Sequence, residues 1–221
     1  MARSKTTKNV FDKRKGKPVE LLPSALKDAI GNATIKGCWI VYGAEKNGKS
    51  WFTLKMVKEL ARFERVHYIS AEEGLEDSFQ AAMKRAGITT ADDILWDEYM
   101  PMFSDDPNVD DKDDPECIVG KFSKQRSANI IVIDNLTMYA DEMKPSEIKK
   151  RLTKALPNKL IIFVAHEERK EPAPALAKHA KKMAHTIFHI VGLKAIVTSR
   201  FGGGGELVID EEKCEIYHGG N

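Results

Sequence analysis

Short apolar runs separated by amphipathic stretches set the rhythm of most of this chain. Cys38-Trp39-Ile40-Val41-Tyr42, bounded by Gly37 and Gly43, is the pattern of a parallel strand buried on both faces. From Ser50 to about Phe63 the period lengthens, with Phe52, Met56, Val57, Leu60 and Ala61 on one face of a helix. The alternation then repeats. Val66–Ser70 predicts a strand, Leu75 to Ala86 a helix ended by Gly87, and Ile94–Trp96 a third short strand. Cys117 to Gln125 and Ser146 to Leu156 predict helices, Ile130–Ile133 and Leu160–Val164 buried strands, and Ala175 to Ala184 a helix rich in Lys and His. Ahead of these, Ser24 is placed to cap a short helix running to Ile30, with Gly31 and Asn32 ending it. The rhythm changes near the end. Thr186–Val191, Leu193–Thr198, Glu206–Ile209 and Glu215–Tyr217 predict strands joined only by turns. The expected fold is therefore α/β, a mostly parallel sheet flanked by helices and closed by antiparallel C-terminal strands.

The length of 221 residues fits one such domain. The net charge of +2 hides an uneven distribution. Arg3, Lys5, Lys8, Lys13, Arg14, Lys15 and Lys17 face only Asp12, which predicts a mobile basic arm over residues 1–20 ahead of a domain spanning 21–221. The segment 104–116 carries Asp105, Asp106, Asp110, Asp111, Asp113, Asp114 and Glu116 against Lys112, too polar for core and expected on the surface. Cys38, Cys117 and Cys214 lack metal-ligand spacing, and an odd, scattered set predicts reduced thiols and a cytoplasmic location. No apolar stretch nears the ~20 residues needed to span a bilayer, so no membrane partner is expected.

The chemistry lies at strand ends. Gly43-Ala44-Glu45-Lys46-Asn47-Gly48-Lys49-Ser50 stands between a predicted strand and a predicted helix. Its glycines allow the backbone to wrap phosphate oxygens, and the helix that follows presents free N–H groups and its positive dipole end. Lys49 supplies charge to the β- and γ-phosphates, Ser50 a hydroxyl to Mg²⁺, and Trp51 follows directly on the cradle. Asp134 ends the strand Ile130–Ile133 and is the second candidate Mg²⁺ ligand. Glu72 and Glu73 follow the strand Val66–Ser70; Glu72 suits polarising an attacking water, Glu73 a helix N-terminus.

In this order the residues resemble the RecA-like P-loop ATPases, a superfamily that includes RecA, RadA, KaiC, the DnaB-type helicases and the plasmid RepA helicases. Ala71-Glu72-Glu73-Gly74-Leu75-Glu76 is similar to the stretch that carries the family's catalytic Glu. His166, after Phe163-Val164-Ala165, matches the family's sensor of the γ-phosphate. Arg200, in Thr198-Ser199-Arg200-Phe201-Gly202-Gly203-Gly204-Gly205, matches an Arg that reaches a neighbouring subunit's site, although Thr198 replaces the Lys that accompanies it in the family. Phe79 falls where RecA stacks an aromatic on adenine. The resemblance covers roughly residues 22–217 and resembles the bare cores of phage- and plasmid-encoded members.

It implies ATP and Mg²⁺ as ligands and self-assembly into a ring or filament, a hexamer being favoured. It further implies a DNA-dependent motor in recombination or replication, a helicase or recombinase. DNA, single-stranded by preference, would meet Arg169, Lys170, Lys178, Lys181 and Lys182 and the basic arm. The alternative is a KaiC-like regulatory ATPase or nucleotide switch that binds protein and ignores DNA.

Overall fold

A computed structural model describes residues 4–11 and 16–219. In chain order the elements are α1 (Thr7–Phe11), α2 (Ala25–Ile30), β1 (Gly37–Gly43), α3 (Lys49–Ala61), β2 (Val66–Ser70), α4 (Asp77–Arg85), β3 (Ile94–Asp97), α5 (Ile118–Ser123) and β4 (Ile130–Asp134). A 3-10 turn, Leu136–Tyr139, and a π-helical segment, Ile148–Thr153, precede β5 (Leu160–Glu168), β6 (Glu171–Ala173), α6 (Ala175–Met183), β7 (Thr186–Val191), β8 (Lys194–Ser199), β9 (Gly204–Val208) and α7 (Glu211–His218).

Among the described residues nine strands form one sheet in the order β3-β2-β4-β5-β1-β7-β8-β9, with β6 folded back antiparallel on β5. The strands β3, β2, β4, β5, β1 and β7 are parallel, and β8 and β9 close the edge antiparallel. Every residue of β2 and β4 is buried. Helices cover both faces, which is why β4 carries an unbroken apolar run from Ile130 to Ile133, while β2 also buries His67 and Ser70. One face packs Trp39, Val41, Tyr68 and Val132 against α2, α3 and α4 through Leu54, Leu60 and Phe79. The other packs Ile40, Ile131 and Phe163 against Phe122 of α5, Tyr139, Leu152 and Ala180 of α6.

Residues 17–20 are held against the rest of the described chain. Val19 is fully buried, its N–H donates to Ala33 O at 2.8 Å, and Ile35 N donates to Lys17 O at 2.7 Å. These backbone bonds and the Lys17–Glu64 ion pair of 2.8 Å fix residues 17–20 to the domain. Of the basic arm, Arg3, Lys13, Arg14 and Lys15 fall outside the described residues.

The expected strand Glu215–Tyr217 is instead part of α7. Asp210 caps this helix, its side chain accepting from Lys213 N at 2.9 Å, and Glu211 and Glu212 complement the helix dipole in the first turn. The acidic segment 104–116 is surface chain without helix or strand, as its composition implied. It is nonetheless anchored: Arg151 forks onto Asp111 at 2.8 and 3.1 Å, and Gly120 of α5 sits where a Cβ would run into the carbonyl oxygens of Asp111 and Asp114. Gly120→Ala is therefore expected to lower stability by about 1–3 kcal/mol, read as a drop in melting temperature.

Candidate functional site

Register alone assembles the site. Gly43, at the end of β1, pairs with His166 on one side and Ile190 on the other. Ser70, at the end of β2, pairs with Asp134. Four parallel strands thus deliver the cradle, Glu72, Asp134 and His166 to one edge of the sheet, outside the carboxyl ends where such sheets bind ligands.

The cradle 43–50 links β1 to α3, with Gly48 at φ 90° and Lys46 at φ 59°, both left-handed. It is braced from behind by the β7–β8 turn: Gly192 N donates to Asn47 Oδ1 at 2.9 Å and Leu193 N to Asn47 O at 3.4 Å. Lys49 is buried, its Nζ donating to Ala44 O at 2.9 Å. Burial lowers its pKa against the opposing pull of Asp134, Glu72, Glu45 and Glu167. Lys49, Ser50, Trp51, Glu72, Asp134 and His166 share one cavity of about 700 Å³, the size of a small-molecule site.

Asp134 is buried at the tip of β4 and accepts a hydrogen bond from the Tyr68 hydroxyl. Burial pushes its carboxyl up to about 6, with Tyr68 and Lys49 working against the rise and Glu72 and Glu73 adding to it. A carboxyl whose pKa is raised on folding stabilises the fold while protonated, so that contribution is lost as pH climbs from 3.8 towards about 6. Tyr68→Phe removes the neutral donor that eases the burial of the carboxylate. The expected loss is about 1–3 kcal/mol above that window, shrinking below it, measured by urea unfolding on either side.

Beside Asp134, the backbone after β2 bends over its carbonyl, with Ala71 N at 2.6 Å and Glu72 N at 3.3 Å from Asp134 O. This fixes where Glu72 stands. Asn135 Nδ2 donates to Glu72 Oε2 and lies 2.8 Å from His166 Nε2, while His166 Nε2 is 3.0 Å from Glu72 Oε1. Asn135 is itself held by Thr137 N, which donates to its Oδ1 at 2.6 Å. A neutral imidazole Nε2 accepts from Asn135 or donates to Glu72, not both at once. The trio therefore has two arrangements, which differ in the imidazole tautomer and in the partner Nε2 takes.

Ser50 and Asp134 fit Mg²⁺. That ion takes hard oxygen donors and is commonly held by one or two carboxylates, water and the substrate's own phosphates, so a hydroxyl and a carboxylate flanking the cradle suffice.

Other sequence expectations are redistributed. Phe79 does not face the cavity. It is 1% exposed and packs against Tyr68 and Trp96 at ring distances of 5.5 and 5.7 Å, the one buried residue of α4. The aromatic at the cavity is Trp51, ringed by Lys213, Arg85 and Lys55 at 5.2, 5.6 and 5.8 Å. Lys181 is not a free cation: it pairs with Glu171 at 3.0 Å and lies 4.8 Å over the Tyr42 ring. Arg169 and Lys170 are exposed at the tip of the β5–β6 hairpin, and Lys178 and Lys182 are exposed on α6. Arg200 is exposed at the opposite edge of the sheet from the cradle, where Ser199 pairs with Thr186 and Thr186 with Trp39. Asn135, Tyr68, Arg85 and Lys213 went unread in the sequence. Only Asn135, directly after the strand-end Asp134, offered a signal.

No protein-family model and no curated protein matches the sequence. Solved structures do match in shape. The flagellar accessory protein FlaH from Methanocaldococcus jannaschii aligns with a TM-score of 0.58 over 89% of this chain and 96% of that chain, at 15% identity. A second solved structure, itself an ATPase domain, aligns with a TM-score of 0.53 over 78% of this chain and 80% of that chain, at 14% identity. The chain has the RecA-like P-loop fold. Within that fold the cradle, Asp134, Glu72 and His166 line one cleft. Among the described residues no helix is long and apolar enough to cross a membrane, and the three cysteines are free.

Proposed function

We propose that this chain hydrolyses ATP with Mg²⁺ and works as an oligomeric, DNA-dependent motor in recombination or replication. The observation that carries the hydrolytic reading is that Glu72 and His166, joined to each other and to the buried Asn135, line the same cleft as Lys49 and Asp134. The cradle N–H groups and Lys49 hold the triphosphate, and Ser50 and Asp134 hold the metal. When bound, Mg²⁺ neutralises charge on the β- and γ-phosphate oxygens. Asn135 aims the Glu72 carboxylate. Glu72 takes a proton as a water oxygen bonds to the γ-phosphorus and the bond from that phosphorus to the bridging β–γ oxygen breaks, leaving ADP and phosphate. His166 exchanges its contact with Glu72 or Asn135 for the γ-phosphate, so its position differs between the triphosphate and diphosphate states.

Two features support DNA as the regulated partner. The strand that carries His166, β5, runs on to Glu168 and into the hairpin tip that exposes Arg169 and Lys170, so the His166 position and a cationic tip are joined by one hairpin. Lys178 and Lys182 extend the positive surface along α6. Single-stranded DNA is expected to raise the ATPase rate, and binding to weaken steeply as salt rises. A rate indifferent to DNA, with no salt-sensitive binding, sinks the DNA reading. It would favour a regulatory ATPase with a protein partner, a reading supported by alignment over 96% of a flagellar accessory protein.

A further inference from the structure

At the edge of the sheet opposite the cradle lies a second cavity, of about 360 Å³, lined by Gly37, Cys38, Lys149, Thr153, Lys182, Met183, His185 and Arg200. The start of β1, the π-helical segment, the end of α6, the link into β7 that carries His185 and the turn after β8 that carries Arg200 build it. Lys149 stands on the π-helical segment, a local geometry common at functional sites. The backbone locks the floor in place, with His185 N donating to Cys38 O at 2.8 Å and Arg200 N to His185 O at 2.9 Å. The Arg200 guanidinium is oriented by Lys182 O at 3.2 Å.

The charge balance of this cavity is one-sided. Its lining contains no Asp or Glu, and among the described residues Lys149, Lys182 and Arg200 form no ion pair within 4.0 Å. Burial, then the nearby Arg200 charge, lowers the His185 pKa, and its buried Nδ1 has no hydrogen-bond partner. Like charges converging on a cavity without a counter-charge repel one another, and an anion relieves that repulsion while taking several charge-assisted hydrogen bonds.

We propose that this cavity is a second phosphate-binding site, in which Lys149, Lys182, Arg200 and His185 take inorganic phosphate or a terminal phosphate monoester. Two sources supply that chemistry: free phosphate, and the terminal phosphate of a nucleotide held by a second copy of this chain. Only the second source rests on the reading of Arg200 as a residue that acts across an interface.

The test titrates inorganic phosphate into the Lys49→Ala protein, in which the cradle is disabled, at low ionic strength. Calorimetry is read together with the His185 ring resonance. One saturable site that shifts His185 is expected, weakened at least about tenfold in Lys49→Ala carrying Lys149→Ala and Lys182→Ala as well. Both added substitutions are at exposed lysines, so a retained circular dichroism spectrum is expected to certify the fold. In the chain with Lys49 intact, the same pair of substitutions is expected to reduce two phosphate sites to one. Absence of saturable binding in Lys49→Ala, or binding unchanged by the lysine pair, overturns the proposal. A sedimentation arm then names the source. Assembly driven by a non-hydrolysable ATP analogue and lost in the lysine pair points to a second copy's nucleotide, and unaltered assembly points to free phosphate. An unimpaired ATPase in Arg200→Ala removes the across-interface reading alone and leaves the phosphate titration standing.

Discussion

Glu72→Gln is expected to lower ATP turnover by a factor of about 10²–10⁴, the range for a positioned general base, with nucleotide affinity nearly unchanged. The substitution keeps the shape and one oxygen acceptor for the Asn135 amide, so the network that aims residue 72 survives. What is lost is the carboxylate that takes the water proton. Glu72 does not hold the triphosphate in this scheme; Lys49, the cradle N–H groups and Ser50 do. Binding and turnover should therefore separate, the first measured by titration of a fluorescent ATP analogue and the second by phosphate release. Wild-type turnover in Glu72→Gln would hand the base role to another group, with Glu73 next in line. Collapse of binding would mean that residue 72 maintains the cleft. The pairing of Ser70 with Asp134 argues against collapse, since the turn after β2 is held by backbone bonds to Asp134 O rather than by the Glu72 side chain.

The parts of this architecture that could be read from the sequence share a physical cause. β4, the first six residues of β5 and all but the first residue of β1 are buried, so burial wrote apolar runs into the chain, while β2, equally buried, also takes in His67 and Ser70. The cradle was legible because its function constrains the backbone: Gly48 at φ 90° admits few other residues. What escaped depends on contacts between distant segments. Asn135 gains its role only because β4 lies between β2 and β5, which carry Glu72 and His166 to either side of it. Phe79 matched a family position, yet it is the largest apolar side chain of α4, and the core took it beside Tyr68 and Trp96. Lys181 looked like its neighbours in a basic run, but helix geometry set it over Tyr42 and beside Glu171. Pro172 concealed β6, because a proline tolerated in a short edge strand reads as loop. In α7 the alternation of Glu215-Ile216-Tyr217 suggested a strand, while the Asp210 cap and the acidic first turn, both present in the sequence, were the stronger signal.

Arg200→Ala is expected to lower turnover by about 10³–10⁵, the range for an arginine that completes a phosphoryl-transfer site, while sparing ATP binding. Arg200 has no route to its own cradle. It lies beyond the start of β1, and the seven residues of that strand span roughly 20 Å at about 3.3 Å per residue, far more than one side chain reaches. Any direct contact of Arg200 with a nucleotide must therefore be made on another copy, which requires the head-to-tail contact of a ring or filament. Subunit mixing separates this from a structural effect. Lys49→Ala protein has an intact Arg200 and a dead cradle, and Arg200→Ala protein has the reverse. Mixed, they form some interfaces that join an intact cradle to an intact Arg200, about a quarter of them on random assembly into head-to-tail contacts. Turnover should rise well above that of either protein alone, and light scattering with an ATP analogue should show the assembly that carries it. If the mixture stays as inactive as its parts while it still assembles, Arg200 acts within its own subunit by holding α6 through Lys182 O, and the site is complete in one chain.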